Sequence, residues 1–333
     1  MASDSLDGTV LVTGGAGYIG SHTVRSLREA GRDVVVLDSL ELGRREAVID
    51  APLVVGDIHD RDLVTATCNE HGVTQLVHFA AYKAVGESME HPAKYWRNNV
   101  GGTVELAEAC LAAGVDDVVF SSSCSVNGTP EVVPLTESAP IHPESVYAET
   151  KAMVERILYW YGQTSDLRSV SLRYFNAAGA SFDGRIGEDW THSQNLVPLA
   201  MKALLLKDRR LSVFGDDNDT PDGTCIRDYI HVADLADAHV KALQYLGEGG
   251  ETIAVNVGTG VGSSVLDVLN ATEVVAGEAV PYEIADRRPG DPVSTFADPS
   301  FAKATLDWEA EYGLEEIVES AYAWHRSQVE LGR

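Results

Sequence analysis

Tyr147 and Lys151 stand four residues apart in Tyr147-Ala148-Glu149-Thr150-Lys151, a spacing that puts both on one face of a helix. The pairing suggests a phenol used as a base. A tyrosine ionises near pH 10, so acting near neutrality needs help of about 3 units, or about 4 kcal/mol. A lysine charge about 5 Å away supplies roughly 3 kcal/mol at an effective dielectric of 20. Burial raises the phenol instead, so cations must outweigh desolvation. The spacing alone also occurs by chance on surface helices; what gives it weight lies upstream.

There, Val10-Leu11-Val12-Thr13 runs into Gly14-Gly15-Ala16-Gly17-Tyr18-Ile19-Gly20. This G-x-x-G-x-x-G follows an apolar strand and opens a helical stretch, the context of a dinucleotide-binding turn. Gly14 permits the tight turn, Gly17 lets a pyrophosphate approach the backbone, and Gly20 allows close helix–strand packing. The helix start offers free N–H groups to the anion. The bland alternative is a glycine-rich turn without a ligand. Asp38 closes the next strand, where a carboxylate meets a ribose 2′-OH and repels a 2′-phosphate, favouring NAD over NADP. Arg44 and Arg45 weaken that preference, and Asp38 could equally be a turn cap. Asp57-Ile58 could hold adenine, or Asp57 could N-cap the next helix. A bound oxidised nicotinamide would add a second cation beside Tyr147. Ser121-Ser122-Ser123 follow Val118-Val119-Phe120, so their hydroxyls sit at the carboxyl end of a strand. One can relay a proton beside Tyr147, and strand-end capping accounts for at least one other.

These residues need a frame. Short apolar runs at Val10–Thr13, Val34–Asp38, Leu53–Val55, Leu76–Phe79, Val118–Ser121 and Val170–Leu172 read as buried parallel strands. Helical stretches at Ile19–Ala30, Arg61–His71, Pro92–Ala113 and Val146–Tyr161 alternate with them. That order predicts an α/β fold, a doubly wound parallel sheet. After Asn176 glycine, proline and aspartate break the pattern, and helices recur at Leu196–Leu206, Val232–Leu246, Val265–Ala276 and Leu314–Val329. We expect a cofactor lobe at 1–176 and a smaller α/β substrate lobe at 177–333, with some segments returning to the first.

Composition narrows the partners. The formal charge of −26 disfavours nucleic acid and anionic membranes. No apolar run spans a bilayer, since Leu196–Leu206 carries Pro198 and Lys202. Met1–Thr9 is short, polar and acidic and does not read as a secretion signal. Cys68, Cys110, Cys124 and Cys225 form no C-x-x-C pair, so neither zinc nor a disulfide is expected and a reducing cytoplasm fits. Seven lysines against eighteen arginines, with acids in excess, suggest adaptation to high salt; the alternative is an ordinary acidic cytosolic protein.

Taken together, the glycine turn, the strand-end serine and Y-x-x-x-K resemble the extended short-chain dehydrogenase/reductases. Val12 to His22, Lys83-Ala84-Val85-Gly86-Glu87-Ser88, Leu172-Arg173-Tyr174-Phe175-Asn176 and Asp222 to Val232 resemble its UDP-glucose 4-epimerase branch, over nearly the whole chain. The resemblance implies that Ser123 and Tyr147 flank the sugar 4-OH, with Tyr147 the base and Lys151 its activator. It implies NAD contacts from Tyr18, Ile19, Asp38, Ser39, Asp57, Ile58, Phe79, Ala80, Ala81, Tyr82, Lys83, Asn98, Ser123, Tyr147, Lys151 and Phe175. UDP and sugar would meet Lys83, Asn176, Asn195, Leu196, Ser212, Phe214, Arg227, Arg288 and Asp291. Two arginines suit a pyrophosphate, which an acidic chain must meet with locally concentrated cations. Thr295, four residues after Asp291, stands where a tyrosine in related enzymes goes with glucose and galactose alone. A small residue there goes with N-acetylated sugars as well, unless Phe296 or Tyr174 fills the space. A homodimer through Pro92–Ala113 and Val146–Tyr161 is also implied.

Two departures stand out. Val126-Asn127-Gly128 replaces a usual V-Y-G, and Val146 replaces a common proline. The implied reaction is inversion at C4 through a transient 4-keto sugar. The rivals are a nucleotide-sugar dehydratase or decarboxylase, or a non-catalytic NAD-sensing protein. A 4,6-dehydratase would carry an acidic pair after the serine, where this chain has Cys124 and Ser125.

Overall fold

The six apolar runs become neighbouring parallel strands. The computed structural model describes residues 8–191, 193–207, 209–288 and 290–332. The segment read as no secretion signal thus lies outside them up to Asp7, and so does Pro289. In chain order the first lobe has β1 (Thr9–Thr13), α1 (Tyr18–Glu29), β2 (Asp33–Asp38), β3 (Leu53–Val55), α2 (Arg61–His71) and β4 (Val73–His78). It continues with α3 (Val85–Glu90), α4 (Pro92–Tyr95), α5 (Thr103–Ala112), β5 (Asp117–Ser121), α6 (Val146–Thr164) and β6 (Arg168–Tyr174). Beyond lie β7 (Asn176–Ala178), α7 (Leu196–Leu206), β8 (Leu211–Phe214), β9 (Ile226–His231), α8 (Val232–Gly247) and β10 (Ile253–Val257). The remainder is β11 (Gly262–Ser264), α9 (Val265–Ala276), β12 (Tyr282–Ala285), β13 (Ser294–Thr295), α10 (Ser300–Leu306) and α11 (Leu314–Glu330).

The main sheet runs β10-β6-β5-β4-β1-β2-β3, all parallel. Alternate side chains feed two cores, as a strand's period of two requires. Val10, Val12, Val34 and Val36 pack with Val24 and Leu27 of α1 and Leu235 and Leu243 of α8. Leu11, Val35, Leu37 and Phe120 pack with Val64 of α2, Leu106 of α5 and Val154 and Leu158 of α6. Helices therefore cover both faces, which explains why these strands read as nearly unbroken apolar runs. The reading from sequence missed one member. β10 lies after the second lobe has begun, yet pairs with β6 from Ile253↔Val170 to Val257↔Tyr174.

The expected continuous helix at 92–113 is interrupted. Between α4 and α5 the chain makes a π-helical stretch, Trp96–Gly102. The buried Asn99 side chain turns inward there, pairing with Tyr82 N and O at 2.9 and 3.0 Å and with Thr150 Oγ1 at 3.1 Å. A Cβ on Gly102 would meet Ile58 Cδ1 at 2.7 Å, so glycine lets the widened turn sit on the strand-end loop. Such bulges concentrate at functional sites. The second lobe is less regular: β9 pairs with β7, β11 and β13, and β8 pairs with β12, under α7, α9 and α11.

Candidate active site

The carboxyl ends of β1, β2, β4 and β5 form one rim. Gly14 takes φ +74°, and a Cβ on it would meet Ala80 N at 2.7 Å. On Gly20 a Cβ would lie 2.3 Å from Gly14 O. Gly17 starts α1 without a side-chain cap, so Tyr18, Ile19 and Gly20 begin a helix whose first N–H groups are left for an anion. This cradle fits a dinucleotide pyrophosphate. Asp38 ends β2 buried, and its carboxylate accepts from Ala16 N at 2.9 Å and Leu40 N at 2.8 Å. It is therefore a turn cap, pinned against the glycine turn where a ribose hydroxyl would lie. Ser39 Oγ accepts from Glu41 N. Asp57 does not cap α2: Asp60 does, accepting from Leu63 N at 3.0 Å. Asp57 instead pairs with His59 Nδ1 at 2.6 Å, beside the buried Ile58.

Phe79 to Lys83 form the loop after β4. Phe79 N donates to Thr13 O at 2.9 Å, and its ring lies 4.6 Å from that of His239. Ala80 touches the glycine turn; Ala81 follows, half-buried. Tyr82 departs from a simple lining role. Its hydroxyl donates to Glu41 Oε2 at 2.6 Å, joining the loops after β4 and β2. Asn98 Nδ2 donates to Asn99 Oδ1 at 3.1 Å. Lys83 Nζ lies 3.7 Å from the buried Glu188, whose carboxylate also accepts from Ser193 and Asn195.

The three serines divide the work. Ser121 O accepts from Lys151 Nζ at 2.6 Å, while Ser121 Oγ pairs with the Tyr174 hydroxyl at 2.7 Å. Ser122 Oγ donates to Glu155 Oε1 at 2.5 Å. Ser123 Oγ accepts from Ser125 N and Ser125 Oγ and lies near enough to the Tyr147 phenol to favour its ionised form. α6 starts at Ser145, which accepts from Ala148 N, and so presents Tyr147 and Lys151 one turn apart. Burial pushes the phenol well above its ordinary range, and the Ser123 hydroxyl opposes that. Burial also lowers Lys151 to about 7, while Glu155 pulls it up. The ammonium stands 5.8 Å from the Tyr147 ring centre. In the free protein desolvation thus outweighs the lysine's help, the condition under which a second cation is required.

Asn127, in place of the usual aromatic, ties the serine loop down by donating to Ala139 O and Pro140 O at 3.2 and 3.0 Å. At the other departure, Val146 N is free to approach Met89 Sδ at 3.5 Å.

The second lobe brings its cations to the facing rim. Arg227 on β9 pairs with Asp291, and Arg288 lies 3.7 Å over the Phe214 ring on β8, the strand of Ser212. Thr295 pairs with Arg227 across β13 and β9; it is buried and its Oγ1 has no partner among the described residues. Asn176 Nδ2 donates to Asp228 O, and Asn195 precedes Leu196 at the start of α7. Phe175 is buried with Leu135 and Ala297. The Cys124 thiol, pushed up to about 12 by burial, feels Asp228 and Arg227 and itself acts on Tyr147. Through Cys124, Arg227 is therefore within electrostatic reach of the rim that carries the phenol. Sequence reasoning missed Asn99, Glu155, Arg173, Glu188 and Asp228, all polar groups whose partners come from distant elements. For Glu155 the signal was its place one turn beyond Lys151, and Arg173 and Asp228 lie within the strings that carry the family resemblance.

A doubly wound sheet with a glycine cradle at one strand end and a buried tyrosine–lysine pair at another defines a dinucleotide-dependent enzyme of the short-chain dehydrogenase type. The chain belongs to the NAD dependent epimerase/dehydratase family, whose model matches residues 10–258. It is 49% identical over 319 residues to the UDP-glucose 4-epimerase of Rhizobium meliloti, covering 95% of this chain and 96% of that one. Among solved structures it is similar to the UDP-glucose-4-epimerase of Stenotrophomonas maltophila with bound NAD and formylated UDP-arabinopyranose. That match has a TM-score of 0.95 at 40% identity, covering 97% and 99% of the two chains. The Brucella ovis UDP-glucose 4-epimerase in complex with NAD matches at TM-score 0.94 and 44% identity, covering 96% and 98%.

Proposed function

We propose that this chain is an NAD-dependent epimerase that interconverts UDP-glucose and UDP-galactose at C4. The observation that carries the reading is the buried Tyr147 phenol, with the Ser123 hydroxyl acting on it and the Lys151 ammonium 5.8 Å from its ring, at the rim that holds the glycine cradle. NAD, when bound, accepts and returns the hydride and adds positive charge near the phenol. Tyr147 takes the proton of the 4-OH and gives it back, Ser123 orients that hydroxyl, and Lys151 holds positive charge behind the phenol. Gly14, Gly17 and Gly20 admit the pyrophosphate of NAD, and Asp38 and Asp57 meet its adenosine. Arg227, Arg288 and Asn195 anchor the UDP, so the sugar is free to turn and present its other face. Binding energy far from the reacting carbon thereby serves a loosely held ring.

The test is incubation with UDP-galactose, without added NAD, and separation of the product sugars. UDP-glucose should accumulate to an equilibrium also reached from the other side. Absence of conversion by NAD-loaded protein would leave the binding-protein reading.

We also read the substrate range as including UDP-GlcNAc and UDP-GalNAc. Thr295 is small, and the two rings that could fill its space are held elsewhere: Phe296 rests near Gly262, and Tyr174 is bonded to Ser121. A homodimer through α6 and the 92–112 segment is supported by Met153, Tyr159 and Trp160, which α6 leaves exposed. Among the described residues no helix is long and apolar enough to cross a membrane, and a cytoplasmic setting suits the four free cysteines.

A further inference from the structure

Beneath the phenol and its lysine lies a second ion pair to which the reaction above gives no role. α6 carries Tyr147, Lys151 and Glu155 at successive turns of one face. Arg173 of β6 grips the Glu155 carboxylate with Nε at 2.9 Å and Nη2 at 2.6 Å. The fully buried Ser122 hydroxyl donates to the same group at 2.5 Å. Ser122 stands between Ser121, whose carbonyl holds the Lys151 ammonium, and Ser123, whose hydroxyl acts on the phenol. The side chains of Arg173 and Glu155 are only 8% and 12% exposed, so water screens this pair little.

We propose that Glu155 and Arg173 are positioning residues that fix how much positive charge Lys151 presents to Tyr147. Glu155 sustains the ammonium from one turn below, and Arg173 offsets part of that field while clamping the carboxylate to the serine strand end. The idea rests on the reading of Tyr147 as base and Lys151 as its activator. Other groups facing the lysine cannot take this role. On β4, His78 is buried between Thr13 and Thr103 hydroxyls and held neutral. On β6, Tyr174 is spent on Ser121 Oγ, and on β5 the Phe120 ring, 4.8 Å from Nζ, carries no charge. Cys124, beyond the strand end, is a neutral thiol.

The experiment is the pH profile of kcat for UDP-galactose conversion in wild type, Glu155→Gln, Arg173→Gln and the double variant, each checked for bound NAD and melting temperature. Activity needs Lys151 charged, so it falls on the alkaline side as the lysine loses its proton. Glu155→Gln should move that alkaline limb to lower pH by about one unit, the scale of an opposite charge removed from close range. Arg173→Gln, which leaves the carboxylate unopposed, should move it to higher pH. In the double variant it should lie between the two. Both single variants break the same hydrogen-bonded clamp, so a purely structural role would depress kcat in both and leave the limb in place. Limbs that stay within about 0.2 units of wild type, far less than a nearby charge produces, or that move in the same direction, overturn the proposal. If Glu155→Gln does not accumulate folded, the sign of the Arg173→Gln shift decides alone. A wild-type protein that converts no UDP-galactose refutes the underlying reading instead, and the two failures are thus distinguished.

Discussion

On the inward face of α6 and on β6 the groups that surround the phenol are withdrawn from water. Lys151, Arg173 and Tyr147 are all less than a tenth exposed, and desolvation shifts the lysine and the phenol away from their charged forms. Across the crevice Arg227 meets Asp291, which is exposed, and Arg288 lies on the face of Phe214. The first side is a preset electrostatic environment whose members already have partners. On the function proposed above, the second holds its cations on partners that the diphosphate of UDP would displace, since a doubly charged anion suits an arginine fork. The difference teaches a division of labour. Chemistry needs fixed groups whose protonation is tuned, and anchoring needs cations ready to exchange partners.

The sharpest way to break that division is to remove the phenol. Tyr147→Phe should melt like wild type and keep NAD, yet lose about 10²–10⁴-fold in kcat, the usual worth of a general acid–base group. A loss of threefold or less would take the base away from Tyr147. On the opposite side, Arg227→Gln should show the converse pattern. A hydrogen bond to a charged group is worth about 1.5–3 kcal/mol, so KM should rise roughly 10- to 100-fold with kcat nearly unchanged. Were kcat to fall and KM to hold, Arg227 would belong to the chemistry and the two sides would not differ as described.

The same contrast explains what the sequence reveals. β1 to β6 were legible because strands buried on both faces leave apolar runs, and the glycine turn because only glycine fits at Gly14 and Gly20. Tyr147 and Lys151 were legible through helical spacing. β9 was not, since Arg227, Asp228 and His231 lie within it, and the buried Asp228 is satisfied by Thr259, Gly260 and Ala297. β10 was missed as well, since Asn256 interrupts its apolar run and is buried with its Nδ2 on Leu135 O. Glu155 was visible as a letter but not as a partner of Arg173, because pairing across elements depends on sheet order, which local periodicity does not encode. The π-helical turn was hidden for a similar reason: an inward Asn99 is indistinguishable from a surface one until the loop it holds is in place.

A subtler change sharpens the substrate side. Thr295→Tyr should fill the space beside Arg227 and depress turnover of UDP-GalNAc by about 10- to 200-fold, the range over which pocket size discriminates between substrates. Conversion of UDP-galactose should change much less. Thr295 is buried and its hydroxyl has no partner among the described residues, so the replacement adds bulk at a site where little is lost by removing the threonine itself. UDP-GalNAc turnover that is unchanged in the variant would show that another residue admits the acetamido group; no turnover by wild type would remove the wider range altogether.

The smallest effect expected is that of salt, and it separates the surface from the crevice. The chain carries 51 acidic and 25 basic residues, so many acids remain unpaired even if every base has a partner. Screening acts on both kinds of surface interaction. It weakens exposed pairs such as Arg287–Asp217 and Arg326–Glu330, which contribute at most about 1 kcal/mol each. It also weakens repulsion among the excess acids, and with a net charge of −26 that repulsion is the larger sum. The Debye length falls from about 10 Å at 0.1 M to about 3 Å at 1 M. Between those concentrations of KCl the melting temperature should therefore rise by a few degrees, roughly 1.4 °C for each kcal/mol at about 2.1 cal/mol/K of unfolding entropy per residue over 333 residues. KCl suits the test better than a sulfate, which stabilises folded proteins generally by exclusion from their surfaces. The Glu155–Arg173 pair is shielded from the ions, so over the same range the alkaline limb of kcat should stay in place. A melting temperature that is flat or falls would show that the exposed pairs outweigh the repulsion. A limb that moves with salt would show that the charges behind Tyr147 are not sealed from solvent, and the contrast between the two sides of the crevice would then be one of degree.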